Sequence, residues 1–546
     1  MEPNGRAPSR LAFVAIGSIA AAMLAAAVAL GLRVTGNDAV VLPGGATYTE
    51  AVAGTWQRVN PLFVNANEVD ADLSALVFSG LVRVSKDGKV IPDLAAEMPE
   101  VSDGGATYTF RIRANARWHD GEPVTSRDVA YTVRLLQDPD FDDAAMAEGW
   151  NGVTVETPDL STVVIRLRQP SAPFLARSAT VGILPEHLLG GKGAQALESD
   201  TFNARPVGSG PYRLESLEAG SATLVANTSY YLGRPGIDRI VLKFYPDEPQ
   251  AIRAFTAGET DGIYLRGPRT PAQLDEVRGV GGKTFTAAAR PMLALLYLNN
   301  SNSLFRDERV RQALSLALDR DRLVEEVFHG VGRATASPVV PGTWAYAEEF
   351  DAKAQDLSRA RQLLQEAGWQ PHPTTGILVR EGQEFRFTIR TDNAPERVAL
   401  ANAVAKQLEA LGIRATVAST TFSVLRRDFL QERKYEAAVV MWDQGPDPDL
   451  YFGWHSSQLG AAGLNLANFE DAVVDDLIAR GRTSTDPEVR LDAYRQLQDV
   501  WQGIQPSLVL AAAGAVVVHP SWLRDAEPGV LFTSASRFTD VHRWRR

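Results

Sequence analysis

The sequence predicts an α/β protein with mixed sheets that follow an N-terminal apolar helix. Three observations lead to this prediction. Residues 11–32 carry no charge and are rich in Ala, Leu, Val and Ile. Residues 107–113 and 162–167 alternate between polar and apolar side chains, which predicts half-buried strands. Residues 384–417 combine two such alternating segments with an intervening stretch of helical spacing, which predicts a strand–helix–strand unit.

The length and composition indicate a soluble body of several domains. A chain of 546 residues corresponds to about three domains. Hydrophobic residues at 45% and charged residues at 22% are typical of globular proteins. The net charge of −11 is spread along the chain, and the basic pair Arg426 and Arg427 sits among acids. Nucleic acid is therefore not expected as a partner, because its binding requires a basic stripe.

The apolar N-terminal segment predicts export of the remaining chain. A helix over residues 11–32 would cross the ~30 Å hydrocarbon layer of a membrane. Arg6 and Arg10 precede it and favour a cytoplasmic N-terminus. Residues 1–32 are either an uncleaved anchor or a signal peptide cut near Ala25-Ala26-Ala27. The length of the run favours the anchor, and both alternatives place the body outside the cytoplasm.

Several chemistries have no support in the sequence. The chain has no cysteine, so it carries no disulfide, no thiolate metal ligand and no lipid on a cysteine. Its seven histidines are scattered, and none stands three to five residues from another. Hydrolase and phosphate-loop motifs are absent as well. We therefore predict no metal, no cofactor and no enzymatic activity.

The remaining pattern divides into a β-rich part and an α/β part. The alternating segments 107–113 and 162–167 lie among Gly and Asp turns, which predicts an antiparallel β-rich region from about 81 to 199. In the second half, Asp356 is placed to cap a helix that Gly368 ends. The strand–helix–strand unit that follows implies a parallel strand pair with a right-handed crossover.

Residues 441–455 are the best candidate for a binding site. They contain three carboxylates and four aromatic rings, and they follow an apolar run that is predicted to be a buried strand. Ligands of open α/β sheets bind beyond the carboxyl ends of the strands. Trp442 and Trp454 are therefore candidates for a pocket wall, and Asp443 is the best candidate for a charged contact. Asp447 and Asp449 each follow a proline, which favours a turn or helix cap.

A catalytic interpretation of these acids is weaker. The two carboxyl groups of a glycosidase must face each other across the bond at ~5–9 Å, and they usually come from different strands. Asp443, Asp447 and Asp449 come from a single loop. A secreted glycosidase or peptidase therefore remains only an alternative.

Several further motifs occur in a fixed order between residues 47 and 510, and together they resemble one family. The family comprises the large extracytoplasmic solute-binding proteins of bacterial ABC importers, the oligopeptide- and dipeptide-binding group known as solute-binding protein family 5. The motifs are Val77-Phe78-Ser79-Gly80-Leu81-Val82-Arg83, Pro92-Asp93-Leu94-Ala95, Ser102-Asp103-Gly104, Trp118-His119-Asp120-Gly121-Glu122-Pro123, Gly208-Ser209-Gly210-Pro211-Tyr212, Leu298-Asn299-Asn300, Phe305-Arg306-Asp307 and Val310-Arg311-Gln312-Ala313-Leu314 followed by Asp319-Arg320.

The resemblance implies a two-lobed fold like that of the periplasmic binding proteins, of type II and in the large three-domain variant. The ligand would be enclosed between lobes that two crossing segments join. The implied division is 1–32 signal peptide or anchor, 33–46 spacer, 47–80, 201–288 and 506–546 domain I, 81–200 β-rich domain II, and 289–505 α/β domain III.

The resemblance also implies which residues contact the ligand. In relatives the loop after the domain III strand often reads Trp-x-x-Asp-Tyr-Pro-Asp-Pro, and its first Asp can pair with the α-amino group of a peptide. The loop here is one residue shorter, so either Asp443 or Gln444 takes the place of that acid. Asp443 would suit a peptide, and Gln444 would suit a sugar or a ligand without a free amino terminus. The candidate binding residues are Trp442, Asp443, Gln444, Trp454, Tyr297 and Asn299.

The expected function is that of the extracytoplasmic solute-binding component of an ABC importer. Such a protein acts as a monomer, closes around a peptide or similar small solute and delivers it to a membrane permease. The alternatives are an oligosaccharide-binding importer component, a secreted glycosidase or peptidase, and a sensor that signals through a receptor.

Overall fold

A computed structural model describes residues 45–65, 67–266, 270–351, 354–460 and 463–546. The predicted apolar helix at 11–32 lies outside the described residues, as does nearly all of the predicted spacer. Among the helices that are described, none combines the length and the apolar character that a membrane crossing requires.

The described residues form twenty strands. In chain order they are β1 (Thr47–Ala53), β2 (Val82–Val84), β3 (Val90–Pro92), β4 (Glu100–Ser102), β5 (Thr107–Arg111), β6 (Thr154–Glu156), β7 (Thr162–Arg166), β8 (Tyr212–Leu217), β9 (Ser221–Ala226), β10 (Arg239–Tyr245), β11 (Gly262–Leu265), β12 (Lys283–Leu298), β13 (Gly332–Ala334), β14 (Gln370–Pro371), β15 (Leu378–Arg380), β16 (Gln383–Glu384), β17 (Arg386–Asp392), β18 (Arg414–Thr420), β19 (Ala437–Asp443) and β20 (Ser507–Pro520).

The helices flank these strands throughout the described part of the chain. The α-helices are Glu68–Val77, Ser126–Leu136, Ala144–Glu148, Phe174–Arg177, Glu186–Leu189, Ala194–Glu198, Glu248–Thr256, Pro271–Arg278, Glu308–Leu316, Arg320–Phe328, Leu357–Glu366, Pro395–Leu408, Phe422–Val424, Tyr451–Trp454, Ala472–Thr483 and Pro487–Ile504. A π-helical turn, Leu425–Leu430, continues the helix Phe422–Val424.

One large sheet runs through the described structure. Its order is β18-β17-β19-β12-β20-β11-β1-β10-β9-β8, and β13 joins it at β20. The long strands β12 and β20 pair antiparallel in the middle, with irregular register between Ala289 and Leu293 and between Ala294 and Leu295. Such irregularities bend and twist paired strands. β12 and β20 therefore connect the two halves of the sheet.

We call these halves the first and the second lobe. The first lobe contains β1 to β11, and the second contains β13 to β19 with their helices. A separate antiparallel sheet, β4-β5-β7-β6, shares one hydrophobic core with the β1 half of the large sheet. Tyr108, Phe110 and Ile112 are buried in this core, as their alternation predicts.

The strand–helix–strand prediction is confirmed in the second lobe. β17 pairs in parallel with β18, and the helix Pro395–Leu408 connects them. The predicted cap is also present, because the Asp356 side chain accepts a hydrogen bond from the Arg359 N–H at 2.8 Å. β19 lies parallel to β17 and extends to Asp443. Trp442 and Asp443 are therefore the last two residues of a strand, whereas the sequence places them in the loop that follows it.

Residues Trp118-His119-Asp120-Gly121 form a turn, in which the Gly121 N–H donates to the Trp118 oxygen at 2.9 Å. The His119 Nδ1 accepts a hydrogen bond from the Gly208 N–H at 3.2 Å, and its Nε2 lies 3.0 Å from the Gly210 oxygen. Gly208 itself lies against the end of the helix Glu68–Val77, where a Cβ atom would stand 1.9 Å from the Val77 carbonyl oxygen. Only glycine allows this close approach of two backbones.

Candidate ligand-binding cavity

A cavity of about 740 Å³ opens between the two lobes. This volume lies in the range of pockets that enclose small organic ligands, about 300–1,000 Å³. The second lobe contributes the end of β19 and the residues that follow it, 443–446. The first lobe and the C-terminal segment contribute the opposite wall, from residues within 61–84, 145–150, 176–182 and 532–542 together with Asp93, Pro211 and Tyr230.

Asp443 and Gln444 both line this cavity, but only Asp443 has an exposed side chain there. The Asp443 side chain is exposed, and its Oδ1 accepts a hydrogen bond from the Gly445 N–H at 2.9 Å. The Gln444 side chain is buried inside the second lobe. Its Oε1 accepts from the Val340 N–H at 3.1 Å, and its Nε2 donates to the Pro338 oxygen at 2.8 Å. The side chain at the cavity is therefore the carboxylate of Asp443, while the amide of Gln444 anchors the loop.

Three of the candidate aromatic residues lie behind the loop. Tyr297 and Trp454 are 0% and 2% exposed, and their rings stack with centroids 5.3 Å apart. Trp454 also meets the edge of Trp501 at 4.7 Å. The half-buried Trp442 ring covers Gly453, where a Cβ atom would stand 3.0 Å from the ring. These rings belong to one hydrophobic core of the second lobe and are not among the residues that line the cavity.

Asn299 lies at a different place in the second lobe. Its Nδ2 donates to the Arg433 and Tyr435 oxygens at 3.1 and 3.0 Å, and its Oδ1 accepts from the Ser301 N–H. It borders a separate, smaller pocket of about 430 Å³. Of the six candidate binding residues, the structure thus brings Asp443 and Gln444 together at the large cavity and places Asn299 away from it.

Asp447 and Asp449 are held in ion pairs behind the cavity wall. Asp449 accepts from the Tyr451 N–H at 3.1 Å, which agrees with the predicted turn, and it also pairs with Arg482. The sequence predicts a turn or cap role for Asp447 as well, but both of its carboxylate oxygens bind Arg490 at 2.8 Å. Burial raises the pKa of Asp447, and the Arg490 charge acts against this rise. Neither acid is available to form a catalytic pair with Asp443.

The opposite wall contains charged residues that the sequence pattern does not single out as ligand contacts. Asp93 is buried, and its Oδ1 accepts from the Tyr231 hydroxyl at 2.5 Å. Burial raises the pKa of Asp93 to about 6. The Arg83 Nη1 donates to Asp540 Oδ1 at 3.1 Å. Arg83 and Asp93 are the charged members of two family-like motifs. A charged residue within a mostly apolar motif is therefore the sequence signal that could have marked them as residues of the site.

His542 and Arg177 also line this wall. Burial lowers the pKa of His542 to about 4, so that the imidazole is neutral at pH 7. Its ring meets the edge of Tyr230 at 5.7 Å. Arg177 ends the helix Phe174–Arg177 and donates from Nη2 to the Gln444 oxygen at 3.4 Å. No local sequence pattern marks either residue.

The described residues contain no group of three or more His, Asp or Glu side chains placed to hold a metal ion. The lining of the cavity is a mixed surface, in which apolar side chains stand beside hydroxyl groups and a few charged groups. Such a surface binds a ligand that combines apolar and charged groups.

Comparison with known proteins agrees with this architecture. Residues 89–463 match the family model described as bacterial extracellular solute-binding proteins, family 5 Middle. The oligopeptide-binding protein AppA of Bacillus subtilis is 30% identical over 448 residues, which cover 79% of this chain and 80% of that protein.

Solved structures share the fold over nearly the whole chain. The structure of Bacillus subtilis AppA in complex with a nonapeptide has a TM-score of 0.63 at 25% identity and covers 92% of this chain and 99% of its own. The ABC transporter substrate-binding protein CtaP of Listeria monocytogenes has a TM-score of 0.72 at 23% identity, with coverage of 92% and 99%. The matching family model, the relative at 30% identity and the cavity between two lobes lead to one conclusion: the chain belongs to the bacterial extracellular solute-binding proteins of family 5.

Proposed function

We propose that this protein is the extracytoplasmic solute-binding component of an ABC importer, and that it binds a peptide between its lobes and delivers it to a membrane permease. The observation that carries the proposal is the cavity whose walls come from both lobes, with the exposed Asp443 carboxylate at one end. A ligand that touches both lobes stabilises the closed arrangement, and β12 and β20 are the connections about which the lobes would move.

A peptide fits the site better than a sugar does. The Asp443 carboxylate receives one backbone N–H, that of Gly445, and it can accept more hydrogen bonds from an ammonium group. The Gln444 amide, which would suit a sugar hydroxyl, is already bound to Val340 and Pro338. A relative of known structure, AppA, was crystallised with a nonapeptide. These observations support the contact through Asp443.

The proposed role requires no chemical step. A glycosidase needs two carboxyl groups facing each other across the substrate bond. Asp447 and Asp449 are held by Arg490 and Arg482 behind the wall, which supports a binding protein over a hydrolase. The apolar segment 11–32 would place this body outside the cytoplasm, as an uncleaved anchor or as a signal peptide.

Mass spectrometry of the ligand that co-purifies with the protein tests the proposal directly. Thermal unfolding with added peptides, with oligosaccharides of similar mass as the control, provides a second measurement. We expect peptides to raise the melting temperature, since ligand at 100 times its Kd stabilises the native state by about 2.7 kcal/mol. Stabilisation by oligosaccharides alone, or hydrolysis of an added peptide, would overturn the proposal.

A further inference from the structure

We propose that Arg177 is a specificity-determining residue that binds a carboxylate of the ligand next to the Asp443 end of the cavity. The peptide would thus carry an ammonium group and a carboxylate group close together. This inference rests on the proposed function and names the ligand class more narrowly. It follows from a comparison of the charged side chains around the cavity, some of which already have hydrogen-bond or ion-pair partners in the protein.

Five Arg, Asp and His side chains line the cavity in the described residues, and two of them, Arg83 and Asp93, bind oppositely charged or hydroxyl groups of the protein. The Arg83 charge is paired with Asp540 at 3.1 Å, although the buried Arg83 Nε has no hydrogen-bond partner among the described residues. Asp93 accepts a hydrogen bond from Tyr231, and Arg83 and Arg113 add favourable charge. His542 is neutral at pH 7 because of its burial.

The two remaining charges are Asp443 and Arg177, and they have opposite signs. Both side chains are exposed, and they come from opposite lobes. Within the described part of the chain, the hydrogen bond of the Arg177 guanidinium goes to the backbone oxygen of Gln444. The Arg177 charge also acts on the Asp447 carboxylate and lowers the pKa of Asp447, but both oxygens of that carboxylate are bound by Arg490.

A guanidinium with one carbonyl acceptor keeps most of its donors available. Arginine carries five N–H donors in a planar fork that matches the two oxygens of a carboxylate. Hydrogen bonds between such charged groups are shorter and about twice as strong as those between neutral groups. The group that Arg177 binds best in this cavity is therefore a carboxylate.

The contact between Arg177 and Gln444 brings the two ligand charges near each other. Arg177 contacts Gln444, and Gln444 follows Asp443 directly, with Cα atoms about 3.8 Å apart. The cation site and the anion site are thus neighbours at one end of the cavity. A ligand fills both when its ammonium and carboxylate groups belong to the same or adjacent residues, as in a dipeptide or in a peptide that begins with an acidic residue.

This arrangement also couples recognition to closure. Asp443 belongs to the second lobe and Arg177 to the first, so one ligand residue that binds both connects the lobes. The ligand carboxylate then takes the place of the Gln444 oxygen as acceptor for Arg177. A ligand with an ammonium group alone would bind Asp443 but would make no ion pair with Arg177.

Calorimetric titration with matched ligands tests the inference. The first pair is alanyl-alanine and its C-terminal amide. The second is a tripeptide amide that begins with aspartate and its counterpart that begins with asparagine, so the two pairs distinguish a terminal carboxylate from a side-chain carboxylate. The protein variants are Arg177→Gln and, as a matched control, Arg127→Gln, an exposed arginine of the first lobe that is away from the cavity.

We expect wild type and Arg127→Gln to bind the carboxylate member of at least one pair about 10–100-fold more tightly than the neutral member, since hydrogen bonds to charged groups contribute about 1.5–3 kcal/mol. Arg177→Gln should lose this preference while it keeps its melting temperature and its affinity for the neutral member. Equal affinities within both pairs for wild type, or an unchanged preference in Arg177→Gln, would overturn the inference alone. Failure of every peptide to bind wild type would overturn the proposed function as well.

Discussion

Arg490 donates to both carboxylate oxygens of Asp447 from one nitrogen, Nη2, at 2.8 Å each. Arg490 lies in the first turn of the long helix Pro487–Ile504, and Asp447 lies three residues beyond Gln444 in the loop of the cavity. The Arg490 Nε also donates to the Gly481 oxygen at 2.7 Å. This buried ion pair therefore ties the loop to two helices of the second lobe.

We expect Asp447→Asn to lower the free energy of unfolding by about 3–5 kcal/mol, because it leaves the buried Arg490 charge without its partner. Urea unfolding followed by circular dichroism measures the change. The matched control is Glu326→Gln, which removes an acid from the exposed pair with Arg322 and should cost less than about 1 kcal/mol. A loss for Asp447→Asn no larger than for this control would contradict a stabilising role for the pair.

The second prediction concerns the charge of Asp443. Asp443→Asn should weaken binding of a peptide with a free amino terminus by about 10-fold or more, because a charge-assisted hydrogen bond becomes a neutral one. The affinity for the N-acetylated peptide should not change. Isothermal titration with both peptides measures the difference.

Asp476→Asn provides the control for this variant. Asp476 is an exposed acid of the same lobe that lies away from the cavity, so its variant should bind both peptides as wild type does. If Asp443→Asn bound the free and the acetylated peptide as tightly as wild type, Asp443 would not contact the amino terminus.

The third prediction concerns the approach of Gly208 to the helix Glu68–Val77. In Gly208→Ala the new Cβ would stand 1.9 Å from the Val77 carbonyl oxygen, which is a backbone atom that cannot rotate away. We expect a loss of about 1–3 kcal/mol in the free energy of unfolding.

Gly220→Ala is the matched substitution, since a Cβ at the exposed Gly220 meets no atom within 4 Å among the described residues. Its effect should stay within about 0.5 kcal/mol. Thermal and urea unfolding of both variants give the comparison. Equal stability of the two alanine variants would show that the backbone at residue 208 moves away without cost.

The fourth prediction concerns the pH dependence of stability. Burial raises the pKa of Asp93 from 3.8 to about 6, so between these values the folded state binds more protons than the unfolded state. The contribution of Asp93 to the free energy of unfolding is fully present below pH 4 and is lost as the pH rises through 6. A rise of about two pKa units corresponds to about 3 kcal/mol.

His542 acts in the opposite direction. Burial lowers its pKa from 6.5 to about 4, so the unfolded state binds more protons between these values, and stability is lost as the pH falls through this range. The two groups therefore offset each other in the wild-type protein. Between pH 4 and pH 6.5, the free energy of unfolding of Asp93→Asn should rise more steeply with pH than that of wild type. The free energy of unfolding of His542→Asn should rise less steeply with pH than that of wild type.

Urea unfolding at several pH values between 4 and 7 measures these slopes, and Asp476→Asn serves as the control with an exposed acid. Parallel curves for wild type and Asp93→Asn would mean that Asp93 has an ordinary pKa in the folded protein.

Local sequence patterns predict much of the fold. Alternation marks β5, β7 and β17, and the capping aspartate Asp356 marks the start of the helix Leu357–Glu366. Such signals are local, because burial of one face imposes its period on the residues that form it. The order of motifs also indicates the two-lobed family fold.

The site depends on the tertiary structure. The sequence points to residues 441–455, but it leaves Asp443 and Gln444 as alternatives. Which of the two faces the cavity depends on Val340 and Pro338, which bind the Gln444 amide from about a hundred positions earlier in the chain. The packing of Tyr297 on Trp454 likewise depends on a strand and a helix that are distant in sequence.

What the sequence by itself determined is therefore the type of several elements, the family and the carboxyl end of the strand that carries Asp443. What the tertiary structure alone decided is which charges meet at the cavity. Arg177 and Gln444 are separated by 267 positions and come into contact only because the lobes face each other. The period of a local pattern encodes burial, whereas the choice of partners across a cleft is fixed by the packing of the whole chain.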